Sequence, residues 1–486
     1  MQKKFLSNLA LILVLNLLIK PFAIFGIDAT IQNRIGAEEY GLYFSLLNLS
    51  FLFNIVMDLG INNYTTKNIA QFPHIAGNYM GKIFSFRLLL FILYAGLTFL
   101  LALLIGYRGN QIYLLFLLVF NQLLVTIIAY FRSHFGGLHL FKTDALISVL
   151  DRLLLILICG GALLYSSAEN PFQIEWYIYI QTICYGSTLV IASVLLFQKI
   201  GIPNFKFNRI FSLAILKKSY PYAFLIVLMM LYTRTDSIML ERIHKNGAYE
   251  AGIYAQGFRL LDALFMFGMI FANLLLPIFS KLLLENNSLI PKMLKTARNL
   301  LLGGAILGAV LCTFHAEFIL ALIYKNDVSA SVASFQFLMW SFIGMCITLI
   351  YGTLLTANGN LRYLNQISLV GVVVNIILNA FLIPSYGAAG AAFATLVTQS
   401  MIALLQLIYC HAKFGIPFSR FNTLNYVFFI AILLVIPFLI EDQNVQFILQ
   451  MVAGILGLFL FKFIDLKQLK ETFQGKHAEN EINGMN

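Results

Sequence analysis

Charge is what this sequence has least of. Only 11% of its 486 residues are Asp, Glu, Lys or Arg, against 60% hydrophobic, and the mean hydropathy is +0.85. An ordinary soluble domain carries roughly 25% charged residues, so little of this chain is left for one. Paired cysteine motifs are missing too. Cys159, Cys184, Cys312, Cys346 and Cys410 form no CxxC or Cys/His spacing, and read as free thiols in packed helices. His134 and His139 fall in an expected cytoplasmic loop with no acidic or cysteine partner, so no metal site is expected. No glycine-rich loop ends in Lys-Ser or Lys-Thr, which argues against ATP as the driver. Long polar loops that would house an enzyme's active site are also missing, so no catalytic residue is assigned.

What is present is apolar sequence. From about residue 6 to 463 the chain is a series of runs long enough to cross a bilayer, about fourteen of them. Backbone groups in hydrocarbon must be paired, which leaves helices or a closed barrel. Runs such as 88–105 are continuous rather than alternating, and this excludes the barrel. The fold class is therefore an all-α integral membrane protein. The first run, 6–27, reads as a span rather than a cleavable leader. The expected helices, numbered one to fourteen, cover 7–30, 41–62, 83–106, 112–131, 145–165, 174–197, 220–240, 252–282, 297–324, 332–356, 363–383, 388–410, 424–440 and 445–464.

The net charge of +11 would suggest nucleic acid in a soluble protein. Here loop topology accounts for it, and no nucleic-acid partner is expected. With the N-terminus in the cytoplasm, the even-numbered loops collect Lys67, Lys82, Arg132, Lys142, Lys199, Lys206, Lys281 and Lys292. The opposite loops hold many of the acids, among them Asp28, Glu38, Glu39, Glu175 and Glu250. Both termini are expected inside.

An internal repeat is visible. Gly36-Ala37-Glu38-Glu39-Tyr40-Gly41-Leu42-Tyr43 opens helix two, and Gly247-Ala248-Tyr249-Glu250-Ala251-Gly252-Ile253-Tyr254 opens helix eight. Gly, Ala, Glu, Gly and Tyr recur in register. Copies six helices apart share one orientation, which implies parallel repeats related by an axis along the membrane normal. The expected organisation is an N-terminal lobe over 1–200, a cytoplasmic linker over 201–219, and a C-terminal lobe over 220–413. Two extra helices over 420–465 and a cytoplasmic tail over 466–486 follow.

Charges within spans are costly and mark function. Lys20 lies past the middle of helix one and precedes Pro21, which favours a kink. Arg234 and Asp236 are on helix seven; Arg259 and Asp262 are on helix eight at a spacing that permits pairing. Lys20, Arg234 and Arg259 would make a cavity positive and suited to an anionic substrate, and Arg152 and Arg87 join them as candidate binding residues. Arg87 and Asp58 each lie about one turn from a cytoplasmic helix end, so Arg87 also has a snorkelling reading. Asp151 and Arg152 are sequence neighbours, expected to point apart.

Three stretches resemble one family: Arg34 to Tyr43 with Asp58-Leu59-Gly60-Ile61; Asp236-Ser237-Ile238-Met239-Leu240 with Glu250 to Tyr254; and Leu382-Ile383-Pro384-Ser385-Tyr386-Gly387-Ala388-Ala389-Gly390-Ala391-Ala392-Phe393-Ala394-Thr395. They look like the polysaccharide-export branch of the multidrug/oligosaccharidyl-lipid/polysaccharide exporter superfamily, of the Wzx O-antigen flippase type. The resemblance implies two six-helix lobes about a cleft lined by helices one, two, seven and eight. It implies an undecaprenyl-diphosphate-linked oligosaccharide as substrate, membrane lipids around the tail, and alternating access. A polysaccharide polymerase and glycosyltransferases are the implied pathway partners, and a monomer is expected. No cofactor is implied beyond a coupling proton or sodium ion, for which Asp58, Asp236 and Asp262 are candidates. Helices one and two offer only Lys20 as a buried cation, unlike the arginine-rich lipid II flippases. A multidrug/cation antiporter of the same superfamily is the nearest alternative. An O-antigen polymerase or ligase would need a large periplasmic loop.

Overall fold

The computed structural model describes residues 15–16, 18–166, 171–201, 203, 209–285, 289–416 and 420–464. Most of the linker's first half, including Lys206, and the tail 466–486 lie outside the described residues. Among those described, ten helices are long and apolar enough to cross a membrane. One of them, Leu361–Phe414, runs 54 residues and covers expected helices eleven and twelve. It breaks at Gly387 (φ 49°), just after Pro384, which cannot donate a backbone hydrogen bond. Helices one and two and the shorter apolar Leu424–Leu439 complete the expected series. The chain is a multi-pass, all-helical membrane protein.

By their packing the residues divide into two compact units. The first is drawn from 1–255, 323–327 and 383–388; the second from 256–322, 328–382 and 389–486. Helix seven, Arg209–Ile243, belongs to the first unit and begins within the segment read as a linker. Helix eight, Gly247–Glu285, contributes its first turns to that unit. At 1.5 Å per residue its 39 residues extend about 58 Å, well beyond the hydrocarbon thickness.

Helix two is not continuous. Ala37–Leu52 ends at Phe53, a 3₁₀ turn spans Asn54–Met57, and Ile61–Gln71 resumes after Leu59 (φ 45°) and Gly60 (φ 75°). The freed polar groups are met by side chains, as a low-dielectric setting demands. Tyr94 donates to Ser50 O at 2.7 Å and the Asp58 carboxylate accepts from the Asn62 N–H at 3.2 Å, while the Asn54 side chain within the break donates to the Gln122 side chain at 2.8 Å.

The repeated segments meet each other. A Cβ on Gly41 would stand 1.8 Å from Ala248 O, and one on Gly252 would stand 1.9 Å from Ala37 O. Each copy thus supplies an alanine and a glycine four apart, and the two helices cross backbone to backbone. Gln32 donates to Gly252 O at 2.8 Å across this crossing. The third stretch joins them at Ala388, whose N–H donates to the Glu250 carboxylate at 2.7 Å. In the second unit, the last two helices lie against Ile290–Phe314, with Gly303 facing Leu458 and Phe463, and Gly454 facing Leu307.

Candidate functional site

The first unit gathers charge around helix one. Lys20 is half-buried and lies in electrostatic range of Arg132, Arg152 and Asp151. Among the described residues it has no hydrogen bond or ion pair. Arg132 pairs with Asp144 at 2.7 Å. Arg152 reaches its neighbour Asp151 at 3.6 Å, and its guanidinium stands 5.9 Å from the Tyr185 ring centre. That corrects the expectation that Asp151 and Arg152 point apart: the arginine is long enough to fold back along its helix. Asn16 donates to Ser148 at 3.0 Å beside them and ties helix one to helix five. Three cations face two carboxylates, and the ammonium is the group left over.

The other candidates have separate settings. Arg234, half-buried, donates to Asn48 at 3.2 Å and lies 5.4 Å from the Phe51 ring. Asp236 is fully buried and accepts from Tyr254 at 2.9 Å. Arg259 and Asp262 are half-buried in the second unit. Arg87 does not snorkel; it is 3% exposed and pairs with Asp58 at 2.7 Å.

Two residues escaped the sequence reading. Arg132 was assigned to a loop, yet it lies on Asn110–Gly137 close to Lys20. Asp28 was assigned to an outside loop; it is 5% exposed and closes a π-helical turn, Ala23–Asp28. Its carboxylate accepts from Tyr40 at 2.7 Å and Tyr177 at 3.0 Å. The only hint in the sequence was Pro21, two residues before this π turn; the turn itself is visible only in the structure. His134, also assigned to a loop, is fully buried near the end of helix four against the Tyr130 ring.

A family model described as polysaccharide biosynthesis protein matches residues 5–283, more than half of the chain. The chain belongs to that family. Its curated relatives include the capsular polysaccharide biosynthesis protein CapF of Staphylococcus aureus, 26% identical over 215 residues, 43% of this chain and 51% of CapF. The chain spans about half the length of the curated relatives it matches. A solved structure of the lipid II flippase MurJ, in an inward closed conformation, aligns with TM-score 0.62 at 17% identity, over 96% of this chain and 98% of that one. An inward-facing multidrug-resistance MATE transporter of the MOP superfamily aligns with TM-score 0.60 at 14% identity, over 81% and 94%. The chain therefore has the fold of MOP-superfamily transporters. The solved structures sharing that fold are named as a flippase and a transporter, not as enzymes.

Proposed function

We propose that this chain is a flippase that carries an undecaprenyl-diphosphate-linked oligosaccharide from the cytoplasmic to the periplasmic leaflet of the inner membrane. Surface polysaccharide, as O-antigen or capsule, is the product it serves. The observation that carries the reading is the Lys20 ammonium. It is half-buried in a membrane protein of a polysaccharide family, close to Arg132 and Arg152, and no carboxylate among the described residues pairs with it. A cation kept inside the membrane without a partner is costly unless a ligand or water meets it. A diphosphate headgroup would, while the polyprenyl tail stays in lipid.

Arg234 and Arg259 serve as further headgroup ligands in this reading. Asp236 or Asp262 takes the coupling proton or sodium ion, since Asp58 already faces Arg87. Both termini lie in the cytoplasm, glycosyltransferases act before the flip, and a polymerase acts after it. The excess of positive charge around Lys20 disfavours a cation antiporter, whose cargo it would repel.

The test is export of surface polysaccharide in a strain that depends on this protein. Lys20→Ala and Arg259→Ala are each expected to abolish export at normal protein abundance. If both variants export normally, the cationic site is wrong at those positions.

A further inference from the structure

Arg87 is buried where the other candidate cations are half-exposed, and its surroundings give it a different task. One guanidinium nitrogen donates to Asp58 Oδ1 at 2.7 Å and to Asn62 Oδ1 at 2.6 Å. Another lies 3.4 Å from Thr126 O, and the Tyr130 ring centre is 4.6 Å away. Asp58 and Asn62 stand on either side of the positive-φ pair Leu59 and Gly60, where helix two breaks. A leucine in that backbone region is strained, so the break has to be held from outside the helix. Arg87, from helix three, holds it from both sides at once. On the other side of the break, the last turns of Ala37–Leu52 carry Asn48 and Phe51, and both of these touch Arg234.

We propose that Arg87 is a positioning residue. With Asp58 and Asn62 it fixes the break in helix two, and through Asn48 and Phe51 it thereby aims Arg234. The proposal rests on the reading of Arg234 as a headgroup ligand. Arg87 does not itself touch the headgroup, because its buried guanidinium is already paired with the partly exposed Asp58 carboxylate.

Purified full-length protein is titrated with farnesyl diphosphate as the probe, and thermal unfolding is followed in parallel. The variants are Asp58→Asn with Arg87→Met, Arg234→Met, and all three together. Removing both partners leaves no unpaired buried charge, so the pair variant is expected to fold. The pair variant and Arg234→Met should each bind about tenfold more weakly, and the triple variant should be no more than about twofold weaker than Arg234→Met. Losses that multiply in the triple variant would mean Arg87 acts independently of Arg234, and overturn the proposal. Unchanged affinity in a pair variant of lowered thermal stability would leave only a structural role, and overturns it as well. If the pair variant does not fold, Arg87→Lys, which keeps the charge but not the fork, replaces it with the same expected non-additivity. Wild-type protein that fails to bind the probe removes the headgroup reading itself, and this proposal with it.

Discussion

Gly252→Ala adds one methyl group at the tightest crossing in the first unit. Its Cβ would lie 1.9 Å from Ala37 O and 2.6 Å from Ala37 C, both backbone atoms with no side-chain freedom to yield. Restoring van der Waals contact needs a separation of the two helices by about 1.5 Å at that point. Such overpacking costs about 1–3 kcal/mol. The buried hydrogen bond from Gln32 to Gly252 O, 2.8 Å long, is stretched beyond range and adds about 1 kcal/mol. The expected total is about 2–4 kcal/mol, partly offset by about 1 kcal/mol of helix propensity gained by replacing glycine with alanine. Gly96 and Gly161 are the controls: a Cβ there meets nothing within 4 Å, so alanine should be neutral or mildly stabilising. Thermal unfolding of the purified protein, followed by size-exclusion of a fluorescent fusion, reads the difference. Gly41→Ala should match Gly252→Ala, and the two together should cost less than their sum, since the first already separates the helices. If Gly252→Ala unfolds at the same temperature as Gly161→Ala, the backbone crossing of the two repeats is not real.

Gly387→Ala meets two obstacles, a φ of 49° and a Cβ 2.2 Å from Glu250 Oε2. It should cost about 1–3 kcal/mol and reduce export, whereas Glu250→Gln, which keeps an acceptor for the Ala388 N–H, should be milder. A membrane-impermeant thiol reagent should label cysteines placed at Glu38 and Glu250 from outside intact cells, and one at Lys199 only after permeabilisation. Reversed labelling would overturn the orientation drawn from the loop charges.

The spans were legible because membrane insertion is a local property. About 20 apolar residues in a row make a helix cross, whatever surrounds it, and the described part of every expected span is built mainly of helix, with the second broken near Leu59 and Gly60 and the ninth at His315. The repeat was legible for a related reason: Gly41 and Gly252 are small because each meets a backbone, and that demand leaves a mark in sequence. Pairing of charges left no such mark. Arg87 and Asp58 are separated by a loop and a helix break, and nothing in their spacing says that they touch. Asp28 resembled a loop acid until Tyr40 and Tyr177 were seen to hold it. Hydrophobic length thus determined that this chain is made of membrane-spanning helices. Which polar side chains face one another was decided only by the rotation and breaks of helices far apart in the chain, since a few tens of degrees about a helix axis move an arginine from one partner to another.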